Sequence, residues 1–269
     1  MNQSEKRLFL IQSLLKEKTE YRDIDIPAEP ESQRQLLRGL MNIRAPQRIG
    51  ADFLQVQDDY LKAETAAKGI TDLADLTPIQ PGLYLWQGDI TTLKCDAIVN
   101  AANSGMTGCY VPNHRCIDNA KHTFAGVELR LACEKLMEQQ GYPEPTGQAK
   151  ITPAFNLPCR YVLHTVGPII DGRVTKKDKE LLASCYRSCL ELAAEKGLES
   201  VAFCCISTGE FHFPNELAAE IAVRTVKEFL KKQNSVKKVI FNVFKDLDKT
   251  IYEKLLRADG TAESSITGL

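Results

Sequence analysis

From Gly82 onward the chain alternates short apolar runs with amphipathic stretches, and this alternation restricts the fold more than any other feature. Leu83 to Gln87, Asp96 to Ala101, Tyr161 to Val166, Ser200 to Ile206 and Val239 to Phe244 read as strands. Helical stretches lie between them at roughly 115–140, 176–197 and 214–233, with a last one near 246–257. Strands separated by helices of this length point to α/β layering, with helices on both faces of a mostly parallel sheet. VAFCCI at 201–206 and VIFNVF at 239–244, apolar apart from Asn242, have the composition of central strands covered on both sides. In such sheets ligands bind beyond the carboxyl ends of the strands, so chemistry is expected just after each run.

Residues 1–80 follow a different pattern and read as a helical N-terminal extension ahead of an α/β body over 81–269. Glu5 to Lys18 carries Leu8, Ile11, Leu14 and Leu15 as a stripe of helical period. A Pro-containing break at Ile26 to Glu31 precedes a second stripe over Ser32 to Arg44, formed by Leu36, Leu37, Leu40 and Met41. A third helix is expected over Arg48 to Lys68, and Thr77-Pro78 with Pro81-Gly82 mark the boundary. The segment holds no Cys, His or Gly-rich loop, so its expected role is to cap or support the rest.

Lys and Arg total 34 against 35 Asp and Glu, which leaves no basic excess for a sequence-independent grip on nucleic acid. The longest apolar run, Val201 to Ile206, is far below the ~18 residues a membrane span needs. MNQSEKRLFLIQ has neither a long apolar core nor a small-residue cleavage site, so no signal peptide is readable and the cytoplasm is the expected location. Nine cysteines, an odd number in a chain of 269 residues, do not suggest a disulfide framework. Reduced thiols are commonly small buried hydrophobes. Cys95, Cys133, Cys159, Cys185, Cys189, Cys204 and Cys205 are read that way, on strands and helices.

Four segments, in three loops after the apolar runs, are where chemistry is expected. Gly88-Asp89-Ile90-Thr91 offers a carboxylate that can accept from a ligand amine or hydroxyl, or cap a turn. Asn100-Ala101-Ala102-Asn103-Ser104-Gly105 places two amides among small residues, suited to a sugar or to an Asn-rich turn. Next comes Cys109-Tyr-Val-Pro-Asn-His114-Arg-Cys116, three ligands of the kind Zn²⁺ selects. Pro112 and Asn113 suit a bend that folds Cys109 back toward His114. Three protein ligands leave a position open for water or substrate, whereas a fourth from Cys133, Cys159 or His122 would close the site as a structural one. His122 lies six residues beyond Cys116, about 240° around a helix, and should point elsewhere. The three could also be packing residues in a reduced core. Finally, Ser207-Thr208-Gly209-Glu210-Phe211 runs into a helix, and exposed backbone N–H groups there suit a phosphate. Phe211 can stack on a ribose or pack on the sheet.

Taken together, the motifs GDIT at 88–91, DAIVNAANS at 96–104, IDNAKHTFAG at 117–126, HTVGP at 164–168 and STGEF at 207–211 resemble the macrodomain family, modules that bind ADP-ribose. The resemblance spans about residues 82–258 and implies a three-layer α/β/α fold with a mixed, mostly parallel central sheet. In most of the family a glycine run follows the NAANS-like motif. Here GCYVPNHRC stands in its place, which resembles the zinc-dependent branch of bacteria and fungi, hydrolases that remove mono-ADP-ribose from proteins. Some bacterial members are associated with a sirtuin-type ADP-ribosyltransferase and a lipoylated glycine-cleavage H-like carrier protein.

The resemblance implies roles for individual positions. Asp89 would bond the adenine amine beside the Ile90 backbone. Asn103 would contact the distal ribose, with Asn100 supporting that loop. One Zn²⁺ per chain would be held by Cys109, His114 and Cys116. Cys116, Ile117 and Asp118 would approach the ribose or diphosphate, with Asp118 as an auxiliary base. Ser207, Thr208, Gly209, Glu210 and Phe211 would cradle the diphosphate and distal ribose. The bond cut would be the glycosidic linkage at the distal ribose, or its ester equivalent, to an Asp or Glu side chain. The competing expectation is a non-catalytic ADP-ribose reader with a structural zinc.

Overall fold

The computed structural model describes residues 1–263, with side chains to Arg257. Its strands are β1 (Thr71–Asp72), β2 (Leu83–Gln87), β3 (Leu93–Lys94), β4 (Ala97–Ala102), β5 (Ala149–Pro153), β6 (Tyr161–Val166), β7 (Ser200–Phe203) and β8 (Lys238–Val243). Its α-helices are α1 (Gln3–Lys16), α2 (Pro30–Ile43), α3 (Ala51–Lys68), α4 (Ile117–Ala125), α5 (Val127–Gln140), α6 (Lys176–Glu195), α7 (Asn215–Leu230) and α8 (Asp246–Glu263). Six strands form the central sheet in the order β2-β8-β7-β4-β6-β5. Every neighbouring pair is parallel except β5–β6. The carboxyl ends of β2, β4, β6, β7 and β8 therefore share one edge.

Helices cover both faces, as the alternation of elements predicts. On one face α6 packs on β5, β6 and α7, and α8 on α7, β2 and β8. On the other, α4 lies on β4 and α5 on β5, with α2 and α3 packed outside α4. The expectation of α/β layering with a mostly parallel mixed sheet is met. No helix among the described residues is long and apolar enough to cross a membrane.

Four local departures from the sequence reading have physical causes. The stretch 115–140 is two helices, α4 and α5, separated at Gly126, whose φ of 97° and ψ of 175° belong to a region that glycine enters almost alone. Gln57 on α3 closes that break, its Oε1 accepting the Val127 N–H at 2.9 Å. The run 200–206 leaves the sheet after Phe203 because β7 pairs with β4 only at Val201 and Ala202. Beyond that point the Val99 carbonyl accepts instead from the Lys121 ammonium and, at 3.5 Å, the Cys204 thiol. Strand β5 was not expected: AKITP is an edge strand ending in Pro, with only Thr152 fully buried, and carries little apolar signal. Finally, Cys95, Cys159, Cys204 and Cys205 lie in connections rather than on strands or helices, and Cys95 and Cys205 are only partly buried.

Helices α1–α3 enclose a second core of Leu10, Ile11, Leu14, Leu37, Leu40, Met41, Phe53, Val56, Tyr60 and Leu61. Val127 of α5 is seated in the same cluster. The extension and the α/β body therefore share buried apolar surface next to α4, the helix that follows the Cys/His loop.

Candidate active site

Asp89 follows β2 and caps a short 3-10 turn. Its Oδ1 accepts the Thr91 N–H at 3.0 Å and the Thr91 hydroxyl at 2.6 Å. Its Oδ2 faces outward and accepts from Lys68 Nζ, the end of α3, at 3.2 Å. Burial alone would raise this carboxyl, but Thr91 and Lys68 outweigh it and hold the group below the ordinary aspartate range. One carboxylate oxygen thus caps the turn, while the other is paired with Lys68.

Asn103 follows β4 and closes the next turn on itself. Its Oδ1 accepts the Gly105 N–H at 3.0 Å and its Nδ2 donates to the Gly108 carbonyl at 3.1 Å. The backbone then passes over the His122 ring at Gly108, where φ is 88° and a Cβ would stand 2.8 Å from the imidazole. Only glycine fits that approach. Asn113, at φ 56°, makes the expected bend. It brings Cys109 Sγ to 3.6 Å from His114 Nδ1.

Cys116 is the cap of α4, its Sγ accepting the Asn119 N–H at 3.4 Å. One ligand atom each from Cys109, His114 and Cys116 lies within 4.8 Å of the others. Two sulfurs and an imidazole at this separation fit a Zn²⁺ donor set after a small contraction. Burial pushes the Cys116 thiol up, with Cys109 and Asp118 adding to it, so a cation is what would hold the thiolate form there. The far side of His114 faces Glu210 of the loop after β7, Nε2 to Oε1 at 3.7 Å. Of the residues weighed as a fourth ligand, none joins this group. His122 and Cys133 belong instead to a buried set with His164.

That buried set lies beneath the loop. Asn100 is fully buried in β4, and its Nδ2 donates to Asp118 Oδ1 at 2.8 Å while standing 3.3 Å from His164 Nδ1. His164 Nε2 meets the Thr152 hydroxyl at 2.9 Å, so both of its nitrogens already have partners. Burial raises the Asp118 carboxyl to about 6, although Asn100 and Lys121 pull it back. Asn100 and Asp118 therefore sit behind the loop that carries Cys116, with Asp118 only 5% exposed.

The segment 207–211 begins with Ser207 in a left-handed conformation, φ 65°. Among the described residues, the N–H groups of Ser207, Thr208, Gly209, Glu210 and Phe211 donate to no protein acceptor. Such a run of unpaired donors could receive an anion. Gly167 after β6 allows it, since a Cβ there would lie 2.0 Å from Ser207 Oγ. Ile90 and Ile117 flank the same edge, Ile90 buried and Ile117 partly so.

Three contributors escaped the sequence reading. Lys68, which meets Asp89, and Arg38, which donates to the His114 carbonyl at 2.9 Å, come from the extension, where charged helix residues look like any solvated face. Phe244 ends the apolar run 239–244, yet it lies past β8 and is 77% exposed, with its carbonyl accepting from Gln87 Nε2 at 3.3 Å. An aromatic at the carboxyl end of an apolar run was the available signal, and its open face suits stacking on a base.

The sequence pattern of the Macro domain family matches residues 99–222. The chain is 58% identical over 260 residues to a protein-ADP-ribose hydrolase of Treponema medium, covering 95% of this chain and 100% of that one. It is 49% identical over 253 residues to a protein-ADP-ribose hydrolase of Staphylococcus aureus (strain MRSA252), covering 93% of this chain and 95% of the other. A solved Trypanosoma brucei macrodomain in complex with ADP-ribose superposes with a TM-score of 0.63 at 28% identity, covering 81% of this chain and 94% of that one.

Proposed function

The chain belongs to the macro domain family and is a protein-ADP-ribose hydrolase by kinship; from that premise we propose a zinc-dependent enzyme that removes mono-ADP-ribose from Asp- or Glu-linked protein side chains. The observation that carries the zinc dependence is the convergence of Cys109, His114 and Cys116 within 4.8 Å, on the loop that starts at Asn103. Binding alone does not require a soft-ligand cluster at that place.

In this reading Asp89 takes the adenine amine and Phe244 stacks on the base. The free N–H groups of 207–211 hold the diphosphate, with Phe211 beside the distal ribose. The Asn103 amide, at the mouth of the loop, orients that ribose. Zn²⁺ bound by the three ligands would supply a polarised, more acidic hydroxyl or water. Two thiolates neutralise most of its charge, which favours positioning over strong Lewis acidity. Asp118, with its carboxyl near half-protonation around pH 6, is the auxiliary base, and Asn100 keeps it oriented. The acceptor we propose is a lipoylated glycine-cleavage H-like carrier protein modified by a sirtuin-type ADP-ribosyltransferase. Support for that partner comes from the motif resemblance.

The test is ADP-ribose release from an Asp/Glu-linked mono-ADP-ribosylated protein, with and without chelator, alongside metal analysis. Purified protein should carry about one zinc, the stoichiometry of a single three-ligand site. Cys109→Ala and His114→Ala should lose metal and release while remaining folded. Undiminished turnover in metal-free protein would reject the zinc dependence.

A further inference from the structure

The loop that carries Cys109, His114 and Cys116 is held from outside the α/β body. Its tip rests on α2 at Gly39, where a Cβ would lie 3.4 Å from Asn113 Nδ2 and 3.8 Å from Pro112 Cβ. Arg38, the preceding residue, donates through Nη2 to the His114 carbonyl at 2.9 Å. Its Nη2 and Nε also reach Asn119 Oδ1, at 2.8 and 3.2 Å. Asn119 is fully buried and passes the grip on, its Nδ2 donating to the Val111 carbonyl at 3.1 Å. One turn along α2, Asn42 Oδ1 accepts the Asn113 N–H at 3.0 Å. The near end of the loop is held too: Arg130 of α5 donates to the Thr107 carbonyl at 2.7 Å and the Asn42 carbonyl at 2.7 Å.

These bonds fall on the backbone of Thr107, just ahead of the first ligand, of Val111 and Asn113 between Cys109 and His114, and of His114 itself. Apart from the φ fixed at Pro112, a loop with no regular structure has many conformations open to it. The guanidinium removes that freedom by tying His114 to both α2 and α4, and its planar fork suits the two acceptors better than a lysine would.

We propose that α2 of the N-terminal extension is a built-in clamp of the Cys109–Cys116 loop, with Arg38 as the positioning residue that presets His114 for its ligand role. The inference deepens the zinc-dependent reading above and rests on it for the ligand role, whereas the clamp itself can be tested without metal.

The experiment compares full-length wild type with Arg38→Ala and Arg38→Lys, each checked for folding by circular dichroism. Zinc affinity is measured by competition against a chromogenic chelator, and amide exchange by mass spectrometry on metal-free protein. Arg38→Ala should bind zinc about tenfold more weakly, the low end of the loss seen when a partner of the ligating group itself is removed, because Arg38 bonds the His114 backbone and not its ring. Its peptides over 107–116 should exchange at least about tenfold faster while those of β8 do not change. Arg38→Lys should fall between. In turnover, kcat should drop with KM within about twofold, because the base and diphosphate contacts stand on other loops. Wild-type zinc affinity and loop exchange in a folded Arg38→Ala would overturn the proposal. If wild type itself binds no zinc, the functional reading fails, and the exchange comparison still decides the clamp. Should Arg38→Ala not fold, Asn42→Ala, which removes the acceptor of the Asn113 N–H, is read by the same two measurements.

Discussion

His164 stands at the centre of the network beneath the site, and burial with nearby Lys121 pushes its imidazole down to about 3. His122 is driven well down as well, by burial and by His164. Burial favours the neutral form of both rings in the fold, whereas in the unfolded chain each takes a proton near pH 6.5. The unfolded state therefore binds more protons as the pH falls below that value, and stability declines by about 1.4 kcal/mol per pH unit for each such group. Asp118 works in the opposite direction: raised to about 6, it takes its proton first in the folded state and gains stability as the pH falls toward 4. His164→Gln should accordingly flatten the acid limb by about 1.4 kcal/mol per unit between roughly pH 6 and pH 4. Urea titrations across that range check this, and equal slopes in the two proteins would show that His164 is not held neutral. The motif HTVGP brought this histidine to notice without revealing its burial, because one residue's neighbours across a sheet are not written beside it in the chain.

At the level of elements, the break between α4 and α5 is the point where local pattern and structure part. The helical pattern of 115–140 runs through Gly126 without a polar gap and predicts a single helix. The break needs glycine backbone freedom together with Gln57, whose amide would lie 2.7–3.0 Å from an added Cβ. Gly126→Ala combines backbone strain of about 1–2 kcal/mol with that collision. Gly141, the cap of α5, has φ 77° but nothing within 4 Å of its Cβ position. Gly126→Ala should therefore lose about 2–3 kcal/mol and Gly141→Ala about 1, as denaturant midpoints would show. Equal losses would mean that Gln57 does not hold the break.

For the molecule as a whole, the extension and the α/β body are joined by buried contacts. Arg130 of α5 donates to the carbonyls of Asn42 and Arg44, Gln57 caps α5, and Val127 is seated among α1–α3. Differential scanning calorimetry should give a single transition with equal calorimetric and van't Hoff enthalpies. Two resolved transitions would mean that the extension folds independently. In the same way Leu40→Ala, in the core of the extension, should cost about 2–5 kcal/mol and lower the one melting temperature of the whole chain. Period and composition alone determined the α/β layering, the helical extension and the three loops at strand ends, because these depend on neighbours a few residues apart. The local clustering of Cys109, His114 and Cys116 was readable for the same reason. Only the tertiary structure decided that Asn100 and Asp118 lie behind the loop, that Lys68 meets Asp89, and that Arg38 holds His114 from 76 residues away. Those contacts arise when packing of the extension against α4 brings distant segments together, and no local period in the chain records that packing.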